Sequence, residues 1–327
     1  MALTIKIEIL SKLIDLFSRP GIYSINDIES FLQLPFEKYK DHLQYLIDNG
    51  LPIHLTTKVD TYVSPGLKKL QEINIQSRLS QFFSESNLSL ECHICVNSTN
   101  ELARDALRQK KEPILIAADY QISGKGQSNK KWLSSPCEGI LFSIGASIKE
   151  EIGELRMVSL MIGSIIHRHL EIKGYKGLKV KWPNDLYFND RKLCGILVES
   201  VINHKGVIDL IVGVGINISS TRLLKMNSNM LPVGLKEISN IDIDKDTLIA
   251  ELSHQILGSL KTQNYKHNNE IVNYINEFNY LSGRHVRVHD AHNAEIGVIN
   301  NVMPDGGIQF MANGVTKGIY TGSIELI

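Results

Sequence analysis

The sequence predicts an α+β fold in three parts, on three observations. Helical periodicity fills the first fifty residues, short strand patterns dominate 88–217, and closely spaced strands occupy 281–327. Within the middle part, Asn189-Asp190 is a two-residue hairpin signal between "DLYF" and "RKLCGILVES". A hairpin means at least one antiparallel pair, which argues against a doubly wound parallel sheet. A chain of 327 residues also exceeds one ordinary core. The expected divisions are 1–65, 66–280 and 281–327.

The elements follow in order. Leu10, Leu13, Ile14 and Phe17 share one helical face, and Pro20-Gly21 stops that helix. Ser24 to Asp27 has the S-x-x-D pattern of a capped start, followed by Ile25, Ile28 and Leu32 on one stripe. A third helix begins near Phe36, buries Tyr39, Leu43, Leu46 and Ile47, and ends at Asn49-Gly50. The extended "LPIHLTTKVDTYVSP" then folds back as a ribbon, so the segment reads as a winged helix-turn-helix whose third helix would enter a DNA groove through Lys38, Lys40 and His42. A linker helix follows around Leu70 to Phe83. The strands "LECHICV", "PILIAADY", "GILFSIGASI", "LKVKW", "DLYF", "KLCGILVES" and "VIDLIVGVGIN" come next, interrupted by a helix near 154–172. Helices near Asp246 to Leu260 and Asn268 to Asn279 precede a small β-barrel made from "RHVRVHD", "EIGVINNV", "GIQFMA" and "VTKGIYTG".

Lysine plus arginine and aspartate plus glutamate each number 35, so no overall basic excess advertises nucleic acid or an anionic membrane. Residues 1–70 balance as well, eight cations against eight anions, which weighs against strong DNA attraction. No apolar run reaches the ~18 residues of a membrane span, and the N-terminus lacks a signal sequence, so a soluble cytoplasmic protein is expected. Cys92 and Cys95 form a C-x-x-C, but positions three apart on a strand face opposite ways and no second pair completes a zinc set. His285, His289 and His292 straddle a strand and its turn, and no metal site is expected there either.

Chemistry concentrates in "GKGQSNKKW", 124–132. It lies between two strand patterns, has no G-x-x-x-x-G-K-[ST] order and leads into no helix, which excludes the two commonest glycine-rich phosphate motifs. Gly124 and Gly126 let backbone N–H groups approach an anion, while Lys125, Lys130 and Lys131 add charge with no acid between Gln121 and Pro136. The second tryptophan motif, "KWPNDLYF", carries Asn184 and Asp185 after a rigid Pro183. Lys192, flanked by strand residues, must find an anion or water.

"STN" at 98–100, "ADYQISGKGQSNKKW" at 118–132, "KWPNDLYFNDRKLCGILVES" at 181–200 and "GVGIN" at 213–217 resemble biotin protein ligases in order and spacing. With the N-terminal helices, nearly the whole chain resembles the bifunctional bacterial biotin ligases that are also biotin operon repressors. The resemblance implies a mixed-sheet catalytic domain of the biotin/lipoate ligase type, a C-terminal SH3-like barrel, and synthesis of biotinyl-5′-AMP from biotin and Mg²⁺-ATP. Biotin would then pass to a lysine of the biotin carboxyl carrier protein of acetyl-CoA carboxylase.

It also implies roles. Ser98, Thr99, Asn100, Gln121 and Gly195 would hold the biotin head group. Gly124, Lys125, Gly126, Gln127 and Lys130 would close over the biotinyl adenylate, with Trp132, Asn184 and Asn217 contacting its nucleotide. Lys192 would sit at the biotin carboxylate and the α-phosphate, and Asp185 would support the acceptor lysine or the metal. Operator DNA and an adenylate-driven homodimer are further implied partners. Where the family loop reads G-R-G-R-x-G-R-x-W, this chain has Lys125, Gln127 and Lys130 for the arginines and Asn129 for the third glycine. A lipoate ligase, or a ligand-sensing regulator with little ligase activity, remains the alternative.

Overall fold

The computed structural model describes residues 6–56, 61–82, 88–109, 113–148, 155–202, 207–220, 232–266, 268–289 and 294–327. Phe83 and His292 of the sequence reading, and residues 57–60 of its ribbon, lie outside them. The N-terminal part holds α1 (Ile7–Phe17), β1 (Gly21–Ser24), α2 (Ile25–Leu32), α3 (Phe36–Asp48), β2 (His54–Thr56) and β3 (Thr61–Ser64), with its strands in the order β1-β3-β2. Helix α2 starts on a complete capping box: Ser24 accepts from Asp27 N–H, and the Asp27 carboxylate accepts from Ser24 N–H at 2.8 Å. The inward stripe of α3 is Tyr39, His42, Leu43 and Leu46. This corrects the expectation for His42, which is buried and accepts the Lys6 backbone N–H through Nε2 at 3.1 Å. Burial lowers its pKa. Lys38 and Lys40 are exposed as expected, with Lys40 paired to Glu37.

After α4 (Glu72–Phe82), which starts two residues later than expected, come β4 (Ser89–Val96), α5 (Thr99–Arg108), β5 (Ile114–Gln121), a small hairpin of β6 (Gly124–Lys125) and β7 (Lys131–Trp132), and β8 (Gly139–Ile148). Then follow α6 (Leu155–Ile172), β9 (Lys179–Lys181), β10 (Asp185–Phe188), β11 (Arg191–Ile202) and β12 (Ile208–Asn217). The seven-stranded sheet runs β4-β5-β8-β12-β11-β10-β9, parallel only between β4 and β5. The β10–β11 turn has φ 47 at Asn189 and 60 at Asp190, the left-handed pair that such a hairpin requires. Helix α5 was absent from the sequence reading, although Ser98-Thr99-Asn100-Glu101 has a helix-start pattern and Ala103, Ala106 and Leu107 form its buried stripe.

Helices α7 (Leu235–Ile238), α8 (Lys245–Lys261) and α9 (Asn268–Glu277) complete the central part. One face of the sheet carries the main core: Phe142, Ile144, Cys194, Ile196, Val212 and Val214 pack with α4, α6, α8 and α9. Each fully buried large side chain of this kind contributes about 1.5–3 kcal/mol. The other face carries α5 through Ile114, Ile116 and Ile211. Cys92 packs at the edge of the main core and Cys95 inside the N-terminal one, so the two thiols do face opposite ways. The C-terminal part is a five-stranded antiparallel sheet, β16-β15-β14-β13-β17, from β13 (His285–His289), β14 (Ala294–Val302), β15 (Ile308–Ala312), β16 (Val315–Ile319) and β17 (Ser323–Leu326). Strand β17 adds to the four expected. Trp182 ties this part to the centre by donating its indole N–H to the Gly306 carbonyl at 2.9 Å.

The N-terminal core is continuous with the central sheet, because Cys95, Tyr120 and Cys137 lie within it. A buried ion pair closes the junction. Asp119 on β5 meets Lys245 at the start of α8 at 2.9 Å, and Leu70 N–H of the linker donates to both carboxylate oxygens at 3.1 and 3.2 Å. Burial pushes the Asp119 carboxyl up, and Lys245 works against that push. Neighbouring Lys69 pairs with Asp15 of α1.

Removing one partner strands the other charge away from water. Asp119→Ala is therefore expected to lower stability by about 3–5 kcal/mol in urea unfolding, and Asp119→Ala/Lys245→Met to recover part of that loss.

Candidate functional site

Strand periodicity builds the site. On β11 and β12, Cys194, Ile196, Val212, Val214 and Ile216 enter the core, so Gly195, Gly213 and Gly215 occupy the opposite face. A Cβ on Gly215 would stand 2.6 Å from the Trp132 ring and one on Gly195 2.8 Å from it. The indole therefore lies directly on bare backbone. The missing Cβ of Gly213 serves Asn100, whose Oδ1 would lie 2.1 Å from it. These glycines are the floor of a cavity of about 620 Å³, within the range of small-molecule sites.

Nearly all expected residues meet there: Ser98, Thr99, Asn100, Gln121, Lys125, Gly126, Gln127, Lys130, Trp132, Asn184, Asp185, Lys192 and Gly195 line this one cavity. Gly124 and Asn217 stand behind the lining. A Cβ on Gly124 would meet the Trp132 carbonyl at 2.7 Å, so glycine permits the β6–β7 pairing. Asn217 is buried and its Nδ2 donates to the Lys192 carbonyl at 3.2 Å, which holds the backbone of that lysine. Asn184 lines the cavity with its Nδ2 already committed, donating to the Ile196 carbonyl at 2.7 Å.

Two clusters carry the chemistry. In the first, Thr99 N–H donates to Gln121 Oε1 at 2.8 Å, Ser143 Oγ lies 2.7 Å from Thr99 Oγ1 and 2.6 Å from Asn100 Oδ1, and Asn100 Nδ2 donates to Glu199 at 2.7 Å. All but Glu199 are buried. In the second, Lys192 Nζ stands 2.7 Å from Asp185 Oδ1 and 5.6 Å from the Trp132 ring centre. The anion that Lys192 required is thus Asp185, opposite the hairpin turn. Five lysines, Lys125, Lys130, Lys131, Lys181 and Lys192, line the cavity against three carboxylates, Asp185, Asp190 and Glu325, so a chain of zero net charge concentrates cations here. Burial lowers the Lys181 pKa, Asp185 opposes that, and Lys192 and Lys130 add to it.

The loop differs from its expectation. It is a hairpin whose tip, Gln127–Asn129, is a single 3₁₀ turn with Ser128 at φ 53. Its lysines do have an acid, supplied by α5: Lys125 pairs with Glu101 at 2.8 Å. Lys181, Tyr187, Tyr280, His289 and Glu325 also line the cavity; of these the sequence reading named only His289, and only to discount a metal role. The last three come from the end of the central part and the C-terminal sheet, a juxtaposition no local motif announces. The Tyr187 and Tyr280 rings pack with centres 4.7 Å apart and planes tilted by 32°, and Tyr280 donates to Asp190 at 2.8 Å. Among the described residues, no group of three His, Cys, Asp or Glu is placed to hold a metal ion, and no helix is long and apolar enough to cross a membrane.

Residues 92–217 match the biotin/lipoate A/B protein ligase family. The chain is 26% identical over 323 residues to the bifunctional ligase/repressor BirA of Escherichia coli, covering 96% of each. It is 25% identical to the BirA of Bacillus subtilis, covering 69% of this chain and 68% of that one. Among solved structures, a biotin protein ligase from Aquifex aeolicus in complex with biotin and ATP superposes with a TM-score of 0.59 at 26% identity, covering 73% of this chain and 98% of that one.

Proposed function

We propose that this chain, a homologue of the bifunctional ligase/repressors, is a biotin protein ligase that forms biotinyl-5′-AMP from biotin and ATP and transfers the biotinyl group to a lysine of a carboxyl carrier protein. The observation that carries this reading is one cavity holding both an ordered amide and hydroxyl set, Thr99 and Gln121, and a lysine-rich rim around the Lys192–Asp185 pair. A ureido ring needs paired donors and acceptors, and a phosphate needs cations. In this proposal the divisions are a winged helix-turn-helix at 1–65, the catalytic domain at 66–280 and an SH3-like barrel at 281–327.

In the first step a biotin carboxylate oxygen attacks the α-phosphorus of ATP. The new P–O bond forms as the bond to the bridging oxygen breaks, and pyrophosphate leaves. Lys192 is held by Asp185 beside Trp132, where its ammonium neutralises both the attacking carboxylate and the α-phosphoryl oxygens. In the second step the carrier's lysine amine attacks the acyl carbon, AMP leaves with its oxygen, and the amine gives up a proton. Asp185 is the carboxylate beside Lys192 that can receive that proton or orient the amine. Mg²⁺, arriving with ATP, would supply charge neutralisation to the triphosphate. Asp185, with no group of three carboxylate, His or Cys ligands around it among the described residues, fits an ion held chiefly by phosphates.

The lysine-for-arginine loop bears on retention of the intermediate. Lysine lacks the planar fork that grips phosphate, and Gln127 lacks charge altogether. A charge-assisted hydrogen bond contributes roughly 1.5–3 kcal/mol, so Gln127→Arg is expected to slow release of biotinyl-AMP about ten- to a hundredfold; an unchanged release rate contradicts this role.

Pyrophosphate exchange into ATP tests the reading directly. Exchange that requires biotin supports it, and exchange that requires lipoate instead would show the other ligase. Lys192→Met is expected to slow biotin-dependent exchange about 10²–10³-fold while the thermal unfolding profile is retained.

A second reading concerns operator DNA, with an adenylate-driven homodimer as its natural form. Three helices and the β1-β3-β2 sheet support it, and Lys38 and Lys40 remain as its candidate phosphate contacts. Glu37 and Asp41 share that exposed face. Biotin-dependent DNA binding, weakened uniformly across sequences by Lys38→Ala, is the expected result of a gel-shift assay. Binding that ignores biotin and Lys38 contradicts it.

A further inference from the structure

We infer that Glu199 and Ser143 are positioning residues that set which hydrogen-bonding group each wall of the ureido pocket presents, an assignment that rests on the biotin reading above. Both Glu199 carboxylate oxygens are engaged as acceptors: Oε1 takes Arg104 Nη2 at 2.6 Å and Oε2 takes Asn100 Nδ2 at 2.7 Å. An acceptor on that side fixes the Asn100 amide, so its carbonyl oxygen faces Ser143. Ser143 is fully buried and has one hydroxyl hydrogen within reach of two oxygens, Asn100 Oδ1 at 2.6 Å and Thr99 Oγ1 at 2.7 Å. Asn100 Oδ1 can only accept, so it takes that hydrogen.

The short Ser143–Thr99 contact is then attractive only if the Thr99 hydrogen points at Ser143. The competing Thr99 Oγ1–Gln121 Oε1 contact is longer, 3.2 Å, and that oxygen already accepts the Thr99 N–H at 2.8 Å. Two consequences reach the cavity. Thr99 Oγ1 offers lone pairs, which suit a ureido N–H. Gln121, with Oε1 engaged, turns its Nε2 donor toward Gly124 and the pocket, which suits a ureido carbonyl. The empty side of Gly213 is what allows Asn100 to sit close enough to carry the order.

A single isosteric change reverses this order. In Glu199→Gln, Arg104 still demands an acceptor, so the new amide turns its NH₂ to Asn100. The Asn100 amide flips, Ser143 gives its hydrogen to Thr99, and Thr99 Oγ1 becomes a donor. The probes are biotin and its two cyclic carbamate isosteres, in which one ureido N–H is replaced by a ring oxygen. Dissociation constants come from calorimetry on the full chain, with thermal unfolding as a check of folding.

For the wild type, the isostere that sets oxygen against Thr99 is expected to bind about 10- to 100-fold more weakly than biotin. In Glu199→Gln that ratio is expected to fall at least about fivefold, because biotin loses and the isostere gains. Ser143→Ala should relax the ratio similarly, and Glu199→Gln added to Ser143→Ala should change it no further. A wild type that does not bind biotin overturns the functional reading itself. A wild type that binds biotin and rejects the isostere, with the same ratio in folded Glu199→Gln, overturns only the relay.

Discussion

The two-residue period of β8, β11 and β12 is the constraint on which the rest depends. Each strand sends branched or aromatic side chains into one core and must do something else with the alternate positions. At the cavity those positions are Gly195, Gly213, Gly215 and Ser143, small enough that Trp132 and Asn100 lie against backbone, while Ile211 further along packs against α5. A one-residue slip of register would bury the glycines and drive valine and isoleucine through the cavity floor. The same pattern that stabilises the main core therefore creates the site.

Charge is arranged on that floor with little freedom. Lys192 is fixed at both ends, its carbonyl by Asn217 Nδ2 and Val233 N–H and its ammonium by Asp185. Lys125 is tethered to α5 through Glu101. Preorganised cations of this sort need no rearrangement when a phosphate arrives, which is where electrostatic catalysis gains most over water. The Asp119–Lys245 pair plays a different part. It joins linker, β5 and α8 just two residues before Gln121, so the N-terminal part and the pocket share one strand.

Much of this was legible in sequence because the signals are local. The "GKGQSNKKW" loop, the Asn189-Asp190 turn and the alternation in "GVGIN" each lie within a few residues. What was missed involves partners far apart. Helix α5 was overlooked although Ser98 and Glu101 carry its start pattern, and with it went the acid that neutralises Lys125. His42 was assigned to an outward face, yet it lies three residues after Tyr39 and four before Leu46, on the inward stripe of α3. Trp182 drew notice only as part of the second tryptophan motif, yet it lines the cavity and its indole N–H anchors the C-terminal part. Glu199 and Ser143 had no motif at all. They became visible only once strand pairing brought β11 and β8 to either side of β12.

The central claim is that this cavity activates biotin and hands it to a protein. The most direct measurement is the mass of a biotin carboxyl carrier domain after incubation with the chain, biotin and Mg²⁺-ATP. The account predicts an increase of one biotinyl group, located on a lysine and lost in Lys192→Met. An unmodified carrier, or one modified only when lipoate replaces biotin, would contradict it.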